Sequence, residues 1–256
     1  MTTTTAPSTP DAGTLQRVAS AAVRRRFVRR LLAAGAWFWG IWAFVVAVVP
    51  AAVDRWGGEL VGLTYELAGA PARWVALAVA AVYCGAWLRG HLAAGGTRRS
   101  LVIGVLQGAA IVGPVFGVLT VLLTLAEERV FRAIDEPWPG GATPVPLDTV
   151  AGIVVTIVGE TLVVLTYALV GAAAIGYYRA MPARLYLLGP LHAVPLLVPL
   201  AIVDLSTRTG LLGIPLRGGY DDPVVAALVV AGGGVLAVAV AGVGALRLMA
   251  RVRVRP

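Results

Sequence analysis

One carboxyl, Glu160, falls inside an apolar run spanning about 149–178, with no counter-charge near it in the chain. Thr156, Glu160 and Tyr167 are spaced so that a helix brings all three to one face. An acid at such depth in an apolar segment is a candidate ligand or proton site. The alternative is a neutral carboxyl hydrogen-bonded between helices. His192 lies in a later apolar run without an identifiable partner and reads as structural. Cys84 is the only cysteine and there are two histidines, which rules out an intrachain disulfide and argues against structural zinc, so no metal is expected. All 21 basic residues are arginine. Without lysine the chain can form neither the P-loop lysine contact to nucleotide phosphates nor a Schiff base. No cofactor is therefore expected, and any ATP hydrolysis belongs to a partner chain; by itself this chain is not expected to be an enzyme.

The elements that must position these groups are membrane helices. Of 256 residues 59% are hydrophobic, and mean hydropathy is +0.85. Only 13% are charged, against about 25% in typical soluble domains. The pattern predicts an all-α polytopic membrane protein with six transmembrane helices, at about 31–53, 72–88, 101–126, 149–178, 185–204 and 223–247. Residues 1–14, rich in Thr, Pro and Ser, read as a disordered tail. Residues 15–30 read as a basic helix lying in the interface, with Val18, Ala22 and Phe27 apolar. Residues 31–250 form the six-helix domain, and 251–256 form a basic tail. The net charge is +8, but no basic face is interleaved with aromatics, so nucleic acid is not an expected partner.

Loop charge sets the orientation. Fifteen arginines fall on the side that holds both termini and six on the other, while 11 of 13 acidic residues fall on the arginine-poor side. By the positive-inside rule both termini are expected in the cytoplasm of a bacterial cell, with the chain multi-pass in its plasma membrane. Gly95 to Ser100 then forms a tight cytoplasmic turn with Arg98 and Arg99 at the membrane surface. Those arginines are either topology anchors near anionic headgroups, worth ~1 kcal/mol each, or a docking point for a cytoplasmic partner.

Within the spans, Trp37, Trp39 and Trp42 suit an aromatic belt. Gly104, Gly108, Gly113 and Gly117 form two G-x-x-x-G pairs that admit close helix approach. Gly232, Gly233, Gly234, Gly242 and Gly244 are expected to do the same in the sixth span. Pro190, Pro195 and Pro199 are expected to kink the fifth. On the arginine-poor side, Leu60, Leu63 and Leu67 share a face of a short amphipathic piece, and "TGLLGIPL" after Leu205 is apolar enough to dip into the interface. Both are expected to cap the bundle.

"EERVFR", Glu127 to Arg132, matches the E-E-x-x-F-R signature of intramembrane CAAX-type proteases. That resemblance implies a water-activating glutamate, Glu127 or Glu128, with Arg132 in the motif and histidines on neighbouring helices. Only His192 lies downstream where the family's motifs require two, and Pro137 and Pro139 must end the helix soon after.

The whole-chain arrangement resembles ABC-2-type transporter permeases, particularly small actinobacterial permease-like membrane proteins. Three stretches carry the resemblance: "RRRFVRRLLAAGAWFWGIW" before and into the first span, "AAGGTRRSLVIG" after the second, and "LTLAEERVFRAID" ending the third. They cover about a quarter of the chain. The resemblance implies that Gly96, Thr97, Arg98 and Arg99 contact a separate ABC ATP-binding protein. It also implies that six spans make half a transporter, completed by a second copy or a related permease. A non-transporting membrane scaffold remains the third reading.

Overall fold

A computed structural model describes residues 11–56, 63–64, 69–138, 145–180, 189–208, 219–220 and 222–252. The described residues form six helices and no strand: α1 (Ala12–Trp56), α2 (Gly69–Ala93), α3 (Arg98–Ala133), α4 (Val150–Ala180), α5 (Gly189–Thr207) and α6 (Pro223–Ala250). Among the described residues, α1, α2, α3, α4 and α6 are long and apolar enough to cross a membrane. Large apolar side chains stand exposed on the bundle's outside, among them Trp37, Phe44, Ile111, Leu122, Val154 and Leu228. Water would penalise such a surface, and lipid does not. The protein is a multi-pass helical membrane protein.

α4 is the centre of the bundle and packs against α2, α3, α5 and α6. It is apolar on every side rather than striped, as a helix surrounded by protein must be, and every residue from Val163 to Ala173 is buried. α1 packs mainly along α3 and touches α2; among the described residues it does not reach α4, α5 or α6.

The glycines of α3 explain this arrangement. Gly104 lies where a Cβ would meet Val23 and the Ser20 carbonyl, and Gly108 where it would meet Phe27, so this pair admits α1. A Cβ on Gly113 or Gly117 would come within 3.0 Å of the backbone at Thr161 or Ile157, so this pair admits α4. Nine residues separate corresponding members of the two pairs, which turns them about 180° around a helix. α3 therefore keeps α1 and α4 on opposite faces. In α6 the expectation holds only in part. Gly233 lies against Ser206 and Gly234 against Leu162, and Gly242 makes ordinary contact with Leu169, but Gly232 and Gly244 face open space.

Two further expectations are revised. The basic segment 15–30 is not a separate element; it is the first third of the 45-residue α1, about 68 Å long at helical rise. Val23 and Phe27 are buried against protein in this segment, while Val18 and Ala22 stay exposed. Trp39 does not sit in an aromatic belt but packs edge-on against Phe116 of α3, 5.9 Å between ring centres. α5 runs on through Pro195 and Pro199. Residues 1–10, 57–62, 65–68, 209–218 and 253–256 lie outside the described residues. With them lie most of the expected amphipathic caps and both tail ends; the side chain of His192 is likewise not described.

Candidate functional site

Arg73, one turn into α2, and Asp204, near the end of α5, meet inside the bundle. Their side chains are 1% and 0% exposed, and Arg73 Nη1 donates to Asp204 Oδ1 at 2.8 Å. Tyr167, midway along α4, donates its hydroxyl to Asp204 Oδ2 at 2.8 Å. The Arg73 guanidinium also lies over the Tyr167 ring, 5.9 Å from its centre. Trp74 meets that ring edge-on at 5.4 Å. Both carboxylate oxygens of Asp204 are thus engaged by charge-assisted or hydroxyl donors, as a buried ion needs in order to persist.

Glu160 lies two turns from Tyr167 on the same face of α4, 6% exposed, within electrostatic range of Arg73 and Asp204. Thr156 completes the face; its hydroxyl is buried without a hydrogen-bond partner among the described residues. The expected trio Thr156, Glu160 and Tyr167 is therefore gathered at one place. What the sequence reading missed is the Arg73–Asp204 pair, because loop counting assigned both charges to the outer surface. The signal was present: both positions fall inside the expected spans 72–88 and 185–204.

The opposite end of α2 carries the second expected site. Gly95 takes a left-handed conformation, φ +82°, which turns the chain out of α2 at little steric cost. Thr97 caps α3: its hydroxyl accepts from Ser100 N at 3.0 Å, and Ser100 Oγ accepts from Thr97 N at 3.0 Å. His91 Nε2 lies 2.8 Å from Ser100 Oγ, tying the turn back to α2, and Gly96 packs under its ring. Arg98 donates to the Val252 carbonyl at 2.8 Å, tying the turn to the end of α6. Arg99 is exposed. The four expected residues have separate roles: Gly96, Thr97 and Arg98 build and brace the turn, and Arg99 is the exposed cation beside it.

Glu127 and Glu128, adjacent in sequence, face different surroundings. Glu127 is 1% exposed, and its two oxygens accept from the amides of Leu63 and Thr64 at 2.7 and 2.8 Å. It staples the α1–α2 connection to the end of α3. Glu128 pairs with Arg132 one turn on, at the surface. This geometry is a structural clamp beside a surface ion pair, not a paired carboxylate site open to water. α3 ends at Ala133, before Pro137 as expected. No group of three or more His, Cys, Asp or Glu able to hold a metal occurs among the described residues. Comparison with models of protein families, with curated proteins and with solved structures yields no match to this chain.

Proposed function

We propose that this chain is the membrane-spanning permease subunit of an ABC transporter of the exporter type. It sits in a bacterial plasma membrane with the arginine-rich end in the cytoplasm. A separate ATP-binding protein docks on the α2–α3 turn, and a second permease chain, identical or related, completes the pathway. The observation that carries this reading is the construction of the turn. It is capped and bonded to α2, α3 and α6 at once, yet it presents Arg99, exposed among the described residues, to the solvent. A load applied there reaches three helices together. Along α2 it travels from His91 to Arg73, about 27 Å at helical rise, and so arrives at the ion pair that locks α2 to α5.

Charge reversal at Arg99 separates docking from folding, because Arg99 is exposed and among the described residues it braces no helix. In co-expression with an ABC ATPase that co-purifies with the native chain, Arg99→Glu is expected to abolish co-purification while the melting temperature of the chain stays unchanged. If Arg99→Glu binds and stimulates the ATPase normally, the docking site is misplaced.

A further inference from the structure

At the arginine-rich end, α1 and α2 part to leave a half-open cleft of about 460 Å³. That lies within the roughly 300–1,000 Å³ of sites that take whole ligands. Its walls are apolar: Leu15, Val18 and Ala22 on α1, Tyr83 and Trp87 on α2. Leu15 and Val18 are 55% and 63% exposed, so among the described residues nothing covers this wall. Among the described residues its basic lining is Arg26, exposed and 4.8 Å over the Trp87 ring, with His91 beside the turn. Arg29 and Arg30, one turn on, are exposed. Trp87 and Arg89 mark the headgroup level of a bilayer, so the cleft straddles it. An occupant must bring apolar surface and negative charge together, at the depth where phosphates meet acyl chains.

We propose that this cleft holds one anionic phospholipid, its phosphate on Arg26 and an acyl chain against the apolar wall between α1 and α2. Arg26 presents a planar fork suited to phosphate oxygens, and the indole beneath holds that fork flat. Gly90 lines the cleft, and a Cβ there would meet nothing within 4 Å. The lipid then fills the gap between the first helix and the helix that ends in the braced turn, independently of what docks on Arg99.

The test uses the full chain in neutral detergent, titrated with phosphatidylglycerol or phosphatidylcholine carrying brominated acyl chains, with quenching of tryptophan fluorescence as readout. Phosphatidylglycerol is expected to bind about fivefold or more tighter than phosphatidylcholine, the worth of one arginine–headgroup contact. A Trp87→Phe chain is expected to lose the quenching component. Arg26→Gln should erase the preference for phosphatidylglycerol, and Gly90→Phe, which adds a ring at the cleft lining where a Cβ meets open space, should remove the saturable component for both lipids. Equal binding of the two lipids, or unchanged binding in Gly90→Phe, overturns the proposal. So does competition by glycerol phosphate at matched concentration, which would make the ligand a free anion. Saturable binding that arises only after removal of residues 1–10 also overturns it, because the chain's own N-terminus would then be the occupant.

Discussion

Arg73 and Asp204, 131 residues apart in the chain, form an ion pair with almost no solvent access that joins the start of α2 to the end of α5. Removing one partner strands a charge where neither water nor lipid can solvate it, whereas removing both strands only the neutral Tyr167 hydroxyl that had donated to Asp204. Arg73→Met and Asp204→Leu are each expected to cost about 3–5 kcal/mol, and the double substitution to recover most of that loss. Denaturant titration of the four proteins in one detergent measures the coupling. Simple additivity would show that the two residues do not stabilise each other.

The Glu127 staple predicts local loosening rather than lost chemistry. Glu127→Gln keeps the shape but leaves one of the two amide donors without an acceptor, at a cost of about 1–3 kcal/mol. Hydrogen exchange at the Leu63 and Thr64 amides is expected to accelerate by a factor of 10 or more, which corresponds to about 1.4 kcal/mol. Unchanged protection of those amides would refute the staple.

The glycines divide into two kinds. Gly113→Val and Gly117→Val drive a side chain into the α4 backbone and are expected to destabilise by about 1–3 kcal/mol each. Gly244→Ala, facing open space, is expected to stabilise by up to ~1 kcal/mol through helix propensity. Melting temperatures moving in opposite directions check both at once.

Capping of α3 is separable from the cation beside it. Thr97→Ala removes the acceptor for Ser100 N and is expected to cost about 0.5–2 kcal/mol. Partner binding should then weaken only through the less ordered turn, so the chain's melting temperature falls while Arg99→Glu leaves it unmoved.

Cys84 is fully buried, so the native chain is expected to resist maleimide until it is unfolded. That silence makes Arg99→Cys a single-site topology probe. A membrane-impermeant maleimide should label it in inside-out vesicles and not in intact cells. Labelling of intact cells would invert the orientation and remove the docking reading with it.

Much of the bundle was legible before any coordinates, for a physical reason. Each helix carries an unbroken apolar centre, so hydropathy finds it; it cannot find the ends, since helices continue beyond the hydrocarbon. The span expected at 101–126 is therefore the middle of Arg98–Ala133, and 15–30 merges into α1 because Ala, Arg and Leu sustain a helix whatever the solvent. The Thr156, Glu160 and Tyr167 face followed from spacing alone. That Arg73 and Asp204 lie inside spans was readable too, but not that they meet each other and Tyr167, because a contact between separate helices leaves no local trace in a single sequence. Nor did spacing reveal that Arg98 is bonded to Val252 while Arg99 is exposed; neighbouring identical residues differ there only by which way the helix turns them.

The two glycine pairs on opposite faces of α3 have a consequence for how the protein is made. Among the described residues α1 has no counterpart among α4, α5 and α6, so its docking surface is complete as soon as α2 and α3 have entered the bilayer. The N-terminal half can settle before the rest is synthesised, and the later helices then close around α4 without disturbing a seam already formed.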